Sequence, residues 1–352
     1  METFLQQLVN GISQGSAYAL IALGYTMVYG VLRLINFAHS DVYMFGAFMG
    51  YYIANSTLGL ALGPSIPGAI LVMVGSMALC ACLGILIERF AYRPGRSPSP
   101  FTLSFWFGIL GAGFGQLLGG TLVSVALGAL AGAVLGFVLE KVGLKPKPQS
   151  SHLKLLIIAI GVSFFLENGG QQVFGADPKF FPQIIPNRSI DVGGVSLDTQ
   201  KLTVLGVALL LMILLNVVVH YTKTGKAMRA VSFNLDTAKL MGINTDRIIA
   251  FTFALGSALA GAGGILVSLM YPRIDPLMGI MPGLKAFVAA VLGGIGNITG
   301  AMIGGLIIGL AEVMAVGYGQ STYRDAIAFV ILVLILLLKP TGIMGKGMVE
   351  KV

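Results

Sequence analysis

Charge is scarce in this chain. Only 10% of its 352 residues are Asp, Glu, Lys or Arg, against about a quarter in an ordinary soluble domain. That excludes a water-soluble globular domain. A hydrophobic content of 56% with 49 glycines reads instead as closely packed transmembrane helices. There are two cysteines. Cys80 and Cys82 lie two apart in one apolar run and diverge on a helix, so neither a disulfide nor a metal site is expected. No His/Cys cluster has metal-ligand spacing, no Ser/His/Asp arrangement is evident, and no Gly-x-x-x-x-Gly-Lys-Ser/Thr loop is present. The expectation is therefore a non-enzyme that binds no cofactor. Nor is there an arginine row for voltage sensing or a carbonyl-filter motif, which disfavours a channel. Driving energy must come from an ion gradient or from another protein. The N-terminus shows no basic region or small-residue cleavage site, so the first apolar span is expected to be retained.

What is present is a series of long apolar runs. A membrane span needs about 20 such residues, fewer where a helix is broken. Candidate spans are 8–32, 34–55, 66–88, 101–119, 121–140, 153–174, 202–221, 247–270, 284–296, 299–318 and 323–339. The expected fold is all-α and polytopic, with about ten or eleven transmembrane helices. Segment 284–296 is short and Gly-bounded, a half-helix to be paired with the next segment. The net charge of +8 does not signal nucleic acid, because the basic residues sit in short loops beside apolar spans. Arg89, Arg93, Arg96, Lys141, Lys145, Lys223, Lys226, Arg229, Lys239 and Lys339 fall in one set of loops; Lys179, Arg188, Lys201, Arg273, Lys285 and Arg324 fall in the other. The positive-inside rule places the richer set in the cytosol, the N-terminus outward and the C-terminus inward.

Small residues recur every four positions at Gly296, Gly300 and Gly304, at Gly111, Gly115 and Gly119, and at Gly128, Gly132 and Gly136. Such ladders let helix backbones approach closely. The run 293–297 (GGIGN) reads as a helix break at membrane depth, tolerated only where buried in protein or lining a wet cavity. A short echo, GSAYA at 15–19 and GSALA at 256–260, hints at an inverted repeat of the kind found in transporters.

Between two spans lies a polar island, 221–247. Ala227, Ala230, Val231, Leu235, Ala238 and Met241 recur at helical spacing while Arg229, Ser232, Asp236 and Lys239 point elsewhere. This predicts a short amphipathic helix over 226–241, ended by Gly242. A segment of this kind between spans reads as a stiff lever for a cytosolic partner. Elsewhere, Asn36, His39 and Asp41 fall in or beside a span, where polar groups are expensive and face a cavity or a partner. His39 and Asp41 either pair with each other near Arg33 or line a gate. Tyr18, Tyr25 and Tyr29 share a helix face and read as packing residues or a substrate wall. Glu167, Asn168 and Glu312 lie within or at the end of spans, as pathway or paired groups, and Arg324 with Asp325 reads as an interface pair.

Six segments, at 10–30 (NGISQGSAYALIALGYTMVYG), 35–47 (INFAHSDVYMFGA), 88–94 (ERFAYRP), 225–253, 285–305 (KAFVAAVLGGIGNITGAMIGG) and 339–345 (KPTGIMG), together resemble the LivH-type permease subunit of branched-chain amino acid ABC importers. The resemblance covers nearly the whole chain outside 95–152. It implies one permease domain over 1–352, of the LivH/LivM-type helical fold, in the bacterial inner membrane. The partners it implies are a LivM-type second permease, two ABC ATPase subunits that use ATP and magnesium, and a periplasmic or lipid-anchored amino-acid-binding protein. The island, with its loop 225–247, then corresponds to the coupling helix, and the positions carried over are Gly225, Ala230, Asp236, Ala238, Gly242, Asn244 and Asp246. Asn36, Phe37, Ala38, His39 and Asp41 match a signature after the first span, with Ser40 where the family commonly has Gly. Residues 95–152 depart from the pattern and read as an inserted transmembrane hairpin, whose even number of spans preserves the topology beyond it. Tyr18, Asn36, Phe37, His39, Asp41 and Glu312 are the pathway or gate candidates. A urea or short-amide ABC permease of the same superfamily, or an ion-gradient-driven carrier using His39, Asp41, Glu167 or Glu312, is the alternative.

Overall fold

Each candidate span outside 95–152 falls on a helix in the computed structural model, which describes residues 2–56, 64–96, 152–192 and 194–345 and isolated positions between 127 and 138. The chain divides into a larger body, Met1–Ile85 with Ala159–Val352, and a smaller unit, Leu86–Ile158. In chain order the helices are α1 (Glu2–Leu32), α2 (His39–Asn55), α3 (Ile66–Ile87), α4 (His152–Phe174), α5 (Thr199–Tyr221), α6 (Lys223–Phe233), α7 (Leu235–Leu240), α8 (Thr245–Met270), α9 (Ile280–Gly293), α10 (Ile298–Tyr318) and α11 (Arg324–Leu338). A π turn, Glu88–Tyr92, continues α3. Among the described residues six helices are long and apolar enough to cross a membrane, and α9 is a shorter apolar helix. The spans 101–119 and 121–140, and the glycine ladders within them, lie outside the described residues save for 127, 130–132, 134–135 and 137–138, which are helical.

Glycine sets the helix packing. A Cβ on Gly15 of α1 would sit 2.8 Å from Leu306 Cα of α10; one on Gly305 would strike Ala19, and one on Gly309 would strike Gly15. Likewise Gly46 of α2 abuts Gly261 of α8, and Gly24 of α1 lies against the carbonyl of Gly256. These crossings bring α1, α2, α8, α9 and α10 together around Leu20, Ile21, Leu23, Phe48, Phe253 and Ile265, all fully buried. The outer faces are apolar instead, with Leu210, Ile213 and Leu214 of α5 and Val330, Val333 and Leu337 of α11 exposed. Such a surface is stable only in lipid or against another apolar face.

The break at 293–297 is a hairpin turn. Gly294 and Gly296 take φ of 101° and 93°, a region open mainly to glycine. Asn297 then caps α10, its Oδ1 accepting from the amide of Gly300 at 3.1 Å. The following chain end staples the turn: Ile343 donates to Leu292 O at 2.8 Å and Met344 to Gly293 O at 3.0 Å. Gly300 and Gly304 pack on Gly293 and Ala289 of α9. Gly296 is not on the helix but in the turn, so the ladder has two helical members here.

Two small antiparallel ribbons involve the connection between α4 and α5. Lys179–Phe180 (β1) pairs with Arg273–Ile274 (β4), and Ser189–Val192 (β2) with Val195–Asp198 (β3). Gln6 ties α1 to the second ribbon, accepting from Ser196 N at 2.8 Å and donating to Ser196 O at 3.1 Å.

Candidate functional site

Lysine, glutamate and arginine recur singly along the apolar helices, and the fold gathers several of them at one place. Glu312 of α10 is 1% exposed and Lys285 of α9 is 5% exposed. Their side chains meet at 2.9 Å, and Lys285 Nζ also reaches Asp325 Oδ1 of α11 at 2.6 Å. Arg324 donates through Nε to Glu312 and through Nη2 to the Tyr271 hydroxyl at 3.1 Å. Two residues of α1 complete the network. Gln14 donates to Glu312 Oε1 at 3.1 Å and to the Tyr18 hydroxyl at 2.9 Å, and Tyr18 donates to Glu312 Oε2 at 2.9 Å. Tyr271 closes the circuit by donating to Gln14 Oε1 at 3.0 Å. Two cations and two anions cancel, and each buried charge has both an ionic and a hydrogen-bonding partner, the condition under which charge persists in a bilayer.

Two cavities of about 300 Å³ flank this cluster. Gln14, Met270, Tyr271 and Arg324 line both, so these four side chains stand between them. One cavity is polar, with Asn10, Asp198 and Lys201 on its wall. The other is lined by Tyr43, Val267, Met278 and Met281 and reaches Lys285 and Asp325.

Of the pathway residues expected from sequence, Tyr18 and Glu312 are thus in direct contact. Asn36, Phe37, His39 and Asp41 are elsewhere, at the start of α2. His39 is buried against Gly24, with its ring 4.7 Å edge-on from Tyr25 and Nε2 without a hydrogen-bond partner. Asp41 accepts from Ser163 of α4 at 2.6 Å. His39 and Asp41 therefore do not pair, since residues two apart on a helix face opposite ways. Asn36 accepts from the amide of His39 through its backbone carbonyl at 3.1 Å, and Phe37 tilts against Phe287. Glu167 and Asn168 lie outside the cluster, Asn168 donating to Phe164 O at 2.8 Å. Arg324 and Asp325 are not a mutual pair; each reaches across to a different helix. Cys82 is exposed, whereas Cys80 is buried.

The polar island is two helices rather than one. Asn234 interrupts it in extended conformation, and its Oδ1 accepts from the amides of Asp236 and Thr237 at 3.0 and 2.9 Å. An Asn that can satisfy two free amides favours a new helix start over continuation. Gly225 fits against the carbonyls of Val218 and Val219, where no Cβ would fit. Gly242 ends α7 at φ 80°, and Asn244 caps α8 through the amide of Arg247 at 3.1 Å. Ala238 is buried, while Ala230 and Asp236 are exposed and Asp246 is half-buried. Phe233, Leu240 and Met241 stand 88%, 88% and 78% exposed. Ala230 and Met241, assigned to the apolar face by periodicity, are thus outward; for Met241 the bend at Asn234 resets the register.

Gln14, Tyr271 and Lys285 were not singled out by the sequence. The available signal was Lys285 and Glu312 as isolated opposite charges in neighbouring apolar spans, which the need to pair charge in lipid brings together.

A many-helix apolar bundle with a charge-paired polar interior defines a multi-span membrane permease. Residues 7–107 and 100–336 match the model of the branched-chain amino acid transport system / permease component family, and the chain belongs to that family. It is 37% identical over 354 residues to the high-affinity branched-chain amino acid transport system permease protein LivH of Salmonella typhimurium, covering 99% of this chain and 98% of the relative. LivH of Escherichia coli is 38% identical over 357 residues with the same coverage, and BraD of Pseudomonas aeruginosa, also a high-affinity branched-chain permease, is 36% identical over 354 residues, again covering 99% and 98%. These relatives are transport permeases, not enzymes. No solved structure matches.

Proposed function

We propose that this chain is the permease subunit of an ATP-driven importer of branched-chain or other neutral amino acids. It sits in the bacterial inner membrane with its N-terminus outward and its C-terminus in the cytosol. Its partners are a LivM-type second permease, two ATPase subunits that use ATP and magnesium, and an amino-acid-binding protein outside. The observation that carries this reading, beside family membership, is the α6–α7 elbow. A polar segment fixed by Gly225, Asn234, Gly242 and Asn244 presents Phe233, Leu240 and Met241 to the exterior. Three large apolar side chains held on a capped, basic elbow suit the groove of a cytosolic protein rather than water. Ala230 and Asp236 share that exposed surface, while Ala238 is buried and Asp246 lies half-buried in the first turn of α8. ATP-driven closure of the ATPases would then move α5 and α8 through this elbow, which shifts the permease only by its differential contact with the two states.

Residues 95–152 are read as an added hairpin that leaves the direction of the later spans unchanged. An ion-driven carrier is less favoured, because Glu312 already pairs with two cations and offers no free charge to a coupling ion. The test is ATP-dependent leucine uptake by vesicles holding this chain with its permease partner, ATPases and binding protein. Uptake that requires ATP inside and disappears in Leu240→Asp supports the assignment. Uptake that follows an imposed ion gradient without ATP refutes it.

A further inference from the structure

We propose that the methionine-lined cavity beside Lys285 is a binding site for an amino acid, and that the Lys285–Glu312–Arg324–Asp325 cluster opens to hold its ammonium and carboxylate. This rests on the importer reading above and adds the place and the ligand chemistry. The cavity has two chemically distinct kinds of lining: charged and polar groups, among them Lys285, Arg324, Asp325, Arg273 and Tyr18, and the apolar side chains of Val267, Met270, Met278 and Met281. Its volume of about 300 Å³ lies at the lower limit of small-molecule sites, about 300–1,000 Å³.

A zwitterion is the ligand that such a cluster can accept without stranding charge. Lys285 holds both Glu312 and Asp325, and Asp325 is half-exposed at 49%. It is therefore the carboxylate freest to let go. A ligand carboxylate taking its place on Lys285 leaves Asp325 to accept the ligand ammonium. One ion pair is exchanged, one is added, and the neutrality of the cluster is kept. A ligand with one charge leaves an unmatched ion in a low-dielectric site, which is costly. Urea, with no charge, has nothing to exchange. Tyr43 adds an independent sign of vacancy: it is fully buried, lines this cavity, and its hydroxyl has no hydrogen-bond partner. A buried hydroxyl without a partner is rare in a settled interior, and a ligand head group would provide one. The apolar lining fits the side chain. Methionine is unbranched and pliable, so three of them adapt to valine, leucine or isoleucine shapes better than a rigid wall would.

The experiment uses the assembled transporter in vesicles and a photoactivatable diazirine analogue of leucine, irradiated during turnover, with adducts mapped by peptide mass spectrometry. Adducts are expected on peptides bearing Met270, Met278 or Met281. Excess leucine should protect these peptides by competing for the site. Urea, 4-methylpentanoate and 3-methylbutylamine should not. Met281→Trp, which fills the cavity, should remove the adducts while co-purification of the ATPase subunits shows the complex assembled. Adducts only outside this cavity, or equal protection by the singly charged analogues, overturn the site. Vesicles that carry leucine without cavity adducts sink this assignment alone; vesicles that carry no amino acid sink the importer reading, and this one with it.

Discussion

Replacing Lys285 by methionine takes away the cation that lies 2.9 Å from Glu312 and 2.6 Å from Asp325 while keeping the volume of the stem. Removing one partner of a buried ion pair costs about 3–5 kcal/mol, because the other charge is left without compensation. Glu312 here keeps Arg324, Gln14 and Tyr18, and Asp325 is half in contact with solvent. The lower end, about 3 kcal/mol, is therefore expected for Lys285→Met. Glu312→Gln retains the shape but leaves Arg324 without its carboxylate and Lys285 with half-exposed Asp325 alone, and should cost about 3 kcal/mol. In the double variant the two most buried charges are both gone, and Arg324 and Asp325 remain at the cavity rim. Its loss should stay near that of the worse single change, a coupling of about 3 kcal/mol where independent sites would add to within about 0.5 kcal/mol. The assay is equilibrium unfolding of the purified permease in mixed micelles titrated with dodecyl sulfate, read by circular dichroism. Additive losses would mean that Lys285 and Glu312 do not share one network, and would refute the reading of the polar core.

Gly305→Leu drives a side chain into Ala19 of α1 and should destabilise the α1–α10 crossing by about 3 kcal/mol or more, given about 1–3 for modest overpacking; loss of expressed, folded permease in membranes reports it, and normal levels would contradict the packing. Asn297→Ala removes the cap of α10 and the bond from Nδ2 to Met344 O at 2.9 Å, for about 1–2 kcal/mol, seen in the same unfolding titration. Gly225→Val cannot be housed against the Val218 and Val219 carbonyls and should abolish uptake while the spans still insert, measured by transport against membrane-fraction abundance. Phe233→Asp should release the ATPases on co-purification without lowering permease stability by more than about 0.5 kcal/mol, the usual size of an exposed change.

Hydropathy and spacing were enough for the class of molecule. About 20 apolar residues per span leave little choice in a bilayer, where every backbone group must be bonded within its own helix. The glycine break at 293–297 and the polar island were visible for the same local reason, since turn chemistry and periodicity act over a few residues. What periodicity missed in the island was Asn234, whose side chain competes with the helix for two amides and splits it in two. Arg324 and Asp325 show the limit of reading neighbours as partners. Adjacent helical residues diverge, so each met a charge from another element.

Local composition thus decided where the chain crosses the membrane, where it bends and which segments stay wet. Only the packed bundle decided that Gln14, Tyr18, Tyr271, Lys285, Glu312, Arg324 and Asp325 share one site, because they come from helices far apart in sequence. Their meeting depends on how closely α1, α9, α10 and α11 approach. That distance is governed by what each helix places opposite its neighbour's glycines, a property of pairs of surfaces that no single stretch of sequence contains.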